Sequence, residues 1–165
     1  MAESFSFDLV SDFDRQELVN ALDQVKREIA QRYDLKGTET TVDLDKENIF
    51  IISNSELTLN AVNDIIRQKS IKRKLSLKIF DYGDIEIVSG NKIKQTILLK
   101  QGINQEVAKK ISKNIRDQIK KISVSINGET LRVSSKSKND LQIAIKLVSD
   151  LEESLNIPLK ANNFR

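Results

Sequence analysis

The sequence predicts an α+β fold made of two βαββαβ units, each an antiparallel sheet with helices packed on one face. Two observations carry that prediction. Hydrophobic residues recur first with period two and then with a helical period, in the same order in both halves of the 165-residue chain. The landmarks of the two series also keep step. Asp14 and Asn104, each opening a helix, lie 90 positions apart, and Leu59 and Leu141 lie 82 apart. The difference falls between the first helix and the third strand, where the first half carries the longer connections Tyr33–Gly37 and Asp43–Asn48.

Phe5, Phe7 and Leu9 alternate with polar neighbours and give the first strand. Asp14 with Glu17 three residues on is a capping box, and Leu18, Ala21, Leu22, Val25 and Ile29 follow at helical spacing. Two strands come next, at Thr40–Leu44 and Asn48–Ser53. Ser53 with Glu56 signals another helix start, and Leu59, Val62, Ile65 and Ile66 form its inner stripe. A strand near Leu75–Phe80 closes the half. Asp81–Asn91, with Gly83 and Gly90, reads as a linker, although Ile85 and Ile87 alternate with charge as in a strand.

In the second half Ile97 and Leu99 lie in a strand, and Asn104 caps a helix with Val107, Ile111, Ile115 and Ile119 on its inner face. Asn127-Gly128 predicts a type I′ hairpin turn, after which Leu131 and Val133 continue the hairpin. Leu141, Ala144, Ile145, Val148 and Leu151 mark the last helix, and Ile157–Lys160 a final strand. Pro158 lacks a backbone donor, which puts that strand at an edge. This order of elements is the ferredoxin-like arrangement, expected once in residues 1–90 and once in 91–165. The alternative that the first strand pairs across the two halves is left open by the pattern.

The chain has neither Cys nor His, which excludes thiolate nucleophiles, disulfides, His bases and zinc sites built on either residue. The five glycines fit neither a P-loop nor a dinucleotide fingerprint. Carboxylate pairs such as Asp43 with Asp45 and Glu152-Glu153 read as solvated surface. No metal, cofactor or catalytic residue is therefore expected. No basic-then-apolar leader opens the chain, and no apolar run approaches the roughly 18 residues of a membrane span. A cytoplasmic protein without a membrane partner is expected.

Charge is uneven along the sequence. Residues 1–90 hold 12 Lys/Arg against 17 Asp/Glu, a net of −5, and residues 91–165 hold 15 against 7, a net of +8. A basic second half invites a polyanion, though two halves of opposite charge also attract each other. Three features of that half offer phosphate contacts. Lys100-Gln101-Gly102 precedes the helix capped by Asn104, whose N-terminus presents free N–H groups. Lys109, Lys113, Arg116 and Lys120 form one stripe opposite Ile111 and Ile115, suited to following a phosphate backbone. Arg132 alternates with Leu131 and Val133 onto the face away from the core, with Lys136 and Lys138 just beyond it. A turn glycine, a solvated helix face and a surface strand give the same patterns. With Phe164 the sole aromatic of residues 91–165, base stacking is disfavoured, whereas backbone contact is not.

Together, five segments resemble the YajQ family of nucleotide-binding proteins. They are Ser6-Phe7-Asp8-Leu9-Val10-Ser11, Tyr33-Asp34-Leu35-Lys36-Gly37, Leu99-Lys100-Gln101-Gly102-Ile103, the run Arg132–Gln142, and the terminal Asn163-Phe164-Arg165. Tyr33 and Leu35 stand where relatives often carry Phe, and Ser135 where Gly is common before Lys136. The resemblance implies two ferredoxin-like domains, a cytoplasmic location, and binding of nucleotides or tRNA without a known reaction. It also implies cyclic di-GMP as a ligand, through relatives that act on transcription. The expectation is a non-catalytic protein that binds ATP, GTP, cyclic di-GMP or tRNA. Lys100, Gln101, Gly102, Lys109, Lys113, Arg116, Lys120, Arg132, Lys136 and Lys138 would hold the ligand. The alternatives are an adaptor whose acidic residues 1–90 dock a basic protein partner, and an acylphosphatase-like hydrolase argued from fold alone.

Overall fold

The computed structural model describes residues 4–165. Eight strands and four helices follow in the expected order: β1 (Phe5–Val10), α1 (Arg15–Gln31), β2 (Thr41–Leu44), β3 (Asn48–Ser53), α2 (Glu56–Lys72), β4 (Phe80–Val88), β5 (Lys92–Leu99), α3 (Gln105–Gln118), β6 (Ser123–Asn127), β7 (Thr130–Ser135), α4 (Lys138–Leu155) and β8 (Lys160–Asn162). They make two four-stranded antiparallel sheets, in the orders β6-β7-β1-β8 and β2-β3-β5-β4. With two helices to each sheet, this is an α+β fold of two ferredoxin-like units.

The sheet orders answer the question the pattern left open. β1 pairs with β7 and β8, and β5 pairs with β3 and β4, so each unit uses the first strand of the other half. One unit is Phe13–Leu99. The other combines the residues up to Asp12 with Lys100–Arg165. The boundary expected near residue 90 is therefore displaced to two points, and β5 belongs with the earlier residues. The charge contrast changes with it: 13–99 holds 14 Lys/Arg and 14 Asp/Glu, and the remainder 13 against 10. An acidic half and a basic half give way to a neutral unit and one of net +3.

Each unit has its own core. Leu18, Val25, Ile49, Ile51, Leu59 and Ile97 lie in the first; Phe7, Leu9, Ile111, Leu131, Val133 and Leu151 lie in the second. Phe7 and Leu9 are fully buried, and burial of each such side chain contributes about 1.5–3 kcal/mol.

Several elements sit differently from the pattern. Ser55, not Ser53, caps α2 and accepts from Thr58 N at 3.2 Å, while Ser53 is buried at the end of β3. The strand expected near Leu75–Phe80 is a 3₁₀ turn at Leu77–Ile79, and the stretch after it, which read as linker or strand, is β4, the longest strand among the described residues. At the β6–β7 turn only Gly128 takes a positive φ, +61°, which fits a II′ turn on Gly128-Glu129 better than I′. The last strand begins at Lys160, two residues beyond Pro158, and lies at a sheet edge as expected.

Candidate functional site

Lys100, Gln101 and Gly102 come together ahead of α3, but each is engaged locally. Lys100 Nζ donates to Asn156 O at 2.8 Å, placing its charge at the C-terminal end of α4, where the helix dipole favours a cation. Gln101 Nε2 donates to Asp12 Oδ1 at 2.8 Å. Gly102 has φ +82°, and its N–H donates to Ser11 O at 2.7 Å. A Cβ on Gly102 would lie 2.8 Å from a carboxylate oxygen of Glu129. With Glu106 in the first turn of α3 as well, this helix end is furnished with carboxylates. A phosphate would meet repulsion there.

Lys109, Lys113 and Arg116 are exposed along α3, and Lys120 lies in the turn beyond its end. Arg116 Nε donates to Ser112 O at 3.3 Å. Lys109, Lys113 and Lys120 have no ion-pair partner among the described residues, so the stripe exists as a cationic edge.

Arg132 projects from the middle of β7, on the face away from the helices. Its Nε donates to Asp8 Oδ1 at 3.1 Å, and Asn163 Nδ2 donates to the other carboxylate oxygen at 2.8 Å. These donors, Asn163 first and Arg132 second, hold the Asp8 carboxyl below the usual carboxylate range. The charge of Arg132 is thus already matched. Around it the registers set Ser125 on one side and Asp8 with Asn162 on the other. A row of hydroxyls, Ser123, Ser134 and Ser6, lies beside this one.

That hydroxyl row runs into a cleft of about 620 Å³ at the N-terminus of α4. Lys121 and Lys136 both line it, with Ser123, Ser134, Ser135 and Ser137 between them and Asp140 at one side. Ser135 is buried and organises the cleft: its hydroxyl donates to Lys121 O at 3.2 Å and accepts from Ser137 N at 3.1 Å. Ser137 caps α4 by accepting from Asp140 N at 3.2 Å, which leaves the N–H groups of Lys138 and Asn139 without helical acceptors. Lys138 does not join in, for its ammonium lies 5.4 Å from the centre of the Phe5 ring. Of the ten expected residues, the cleft takes Lys136 alone. Lys121 and Ser123 were missed. Their alternation with Ile122 and Val124 was visible, but the register that brings β6 beside Ser134 was not.

A family model described as nucleotide-binding protein YajQ-like matches residues 5–165. The chain belongs to this family. It is 90% identical to a protein named as nucleotide-binding from Prochlorococcus marinus strain MIT 9301, each chain covered in full. Relatives so named in strains CCMP1986 and MIT 9211 of the same species are 78% and 54% identical, again over 100% of both chains. In this YajQ-like chain, three of the five family-like segments meet in one unit: Ser6–Ser11 is within or next to β1, Arg132–Gln142 runs from β7 into α4, and Arg165 pairs its backbone with Ser6. Tyr33–Gly37 lies in the other unit, with Leu35 buried, Tyr33 97% exposed, and Lys36 and Gly37 lining a second cleft with Lys26, Glu39 and Asp43. Among the described residues no helix is long and apolar enough to cross a membrane, and no group of three or more carboxylates could hold a metal ion.

Proposed function

We propose that this protein binds a nucleotide without transforming it, and that the nucleotide phosphate sits in the cleft over the first turn of α4. The observation that carries this reading is the convergence of Lys121 and Lys136 on one hydroxyl-lined cleft that also holds Ser137, the cap of α4. Two ammonium groups outweigh the single carboxylate of Asp140. From the phosphate, the nucleoside would extend over Ser123 and Ser134 toward Arg132, a polar surface that recognises by hydrogen bonds rather than by stacking. This moves the phosphate away from Lys100 and Gly102. The candidates are ATP, GTP and cyclic di-GMP. The unpaired α3 stripe favours a second reading, in which tRNA is followed along its backbone by Lys109, Lys113 and Lys120. Either ligand is met in the cytoplasm, which is where the protein would act.

The test is calorimetric titration of the three nucleotides and bulk tRNA at two salt concentrations. Lys136→Ala and Lys121→Ala should each weaken nucleotide binding about tenfold, the effect of losing one charged hydrogen bond. Lys100→Ala should leave it unchanged. A larger loss from Lys100→Ala would return the site to α3. Binding of tRNA alone, lost at high salt and in Lys109→Ala/Lys113→Ala, would select the second reading.

A further inference from the structure

β4 is the outermost strand of its sheet, nine residues long, and Asp81 through Ile87 are all exposed. A free edge of this length offers a row of unpaired backbone groups, which soluble proteins usually shorten, cover or charge. Here Asp81, Asp84 and Glu86 supply charge, and none has a side-chain partner among the described residues. Yet Ile85 stands between Asp84 and Glu86, and Ile87 just beyond, 39% and 87% exposed. Protection alone requires no isoleucine there. The register pairs Ile87 with Ile93 and Glu86 with Lys94, so the apolar and acidic side chains lie on opposite faces of the strand.

The strand is also held in place. At its bulge Gly83 O accepts from Gln95 Nε2 at 2.9 Å, and Gln95 Oε1 accepts from the buried Asn63 Nδ2 at 2.9 Å. A docked chain would meet a formed edge and would not have to order it.

We propose that β4 is a docking edge for an extended basic segment of a partner protein, added to the sheet as a fifth strand. Backbone hydrogen bonds would supply affinity, with apolar side chains of the segment on Ile85 and Ile87 and cationic ones beside Asp84 and Glu86. Charge selects this occupant. A second copy of β4 would set carboxylate against carboxylate, which destabilises cross-strand pairs, and a nucleic acid would meet three anions.

The probe is a short fluorescein-labelled peptide of alternating lysine and valine, titrated into the full chain, with a glutamate–valine peptide as control. The basic peptide should bind, weaken as salt rises, and slow amide exchange across Asp81–Val88, while the acidic one should not bind. Asp84→Lys/Glu86→Lys should weaken binding at least tenfold, and Ile87→Thr several-fold, in variants whose thermal melts match the parent. Absence of binding would overturn the proposal, as would equal binding by the charge-reversed variant. Sedimentation showing self-association, with β4 protection that rises with protein concentration, would overturn it in favour of a second copy.

Discussion

Asp8 is held by two donors from far along the chain, Arg132 and Asn163, and their effect on its acidity has a consequence for stability. Its folded-state pKa is depressed, so ionised Asp8 contributes stability above the unfolded carboxylate range and loses it as pH falls through the depressed value. Thermal melts from pH ~7 to pH ~3 should therefore show Asp8→Asn below the parent at neutral pH and the gap closing on acidification. A gap independent of pH would mean that shape, not charge, is what Asn fails to replace. Alternation along Leu131, Arg132 and Val133 was enough to put Arg132 on the face away from the core. Its partner, 124 positions away, was not legible, because ion pairing across strands depends on register. Lys100 shows the same limit: it read as a free cation because Asn156 O is 56 positions distant.

Among the elements, the starts of α1 and α3 were legible to the residue, because caps and apolar spacing are local signals: Asp14 and Asn104 do accept from Glu17 N and Val107 N, whereas the start of α2 read two residues early, at Ser53. β4 was the difficult element. Gly83 interrupts the alternation of apolar and polar residues, and a bulge does the same to the pairing, so the stretch reads equally as strand and linker. The glycine is needed by the bulge. A Cβ there would lie 2.8 Å from Thr96 O, a backbone atom that cannot swing aside. Gly83→Ala should destabilise the 13–99 unit by about 1–3 kcal/mol, the range for overpacking. Chemical denaturation would read this as a lower midpoint at an unchanged slope.

For the whole molecule, the duplication was legible and the partnering of its strands was not. Phe5, Phe7 and Leu9 in β1 and Gln95, Ile97 and Leu99 in β5 present the same alternation toward a core, so neither strand carries a local mark of its sheet. The exchange predicts which pieces are self-sufficient. A fragment of residues 13–99 has all four strands of its sheet and should melt cooperatively on its own. A fragment of residues 91–165 lacks β1, the strand joining β7 to β8, and should remain unfolded by circular dichroism. The reverse result would mean that β5 can replace β1. Because Phe13–Leu99 is one uninterrupted stretch, it can complete its core while the rest of the chain is still on the ribosome. β1 has the opposite fate. It is translated before the other described elements yet pairs with β7 and β8, so Phe7 and Leu9 emerge early and stay uncovered until those two strands have been made. Between its own synthesis and theirs, β1 is an apolar strand without its sheet, a segment of the nascent chain for a chaperone to cover.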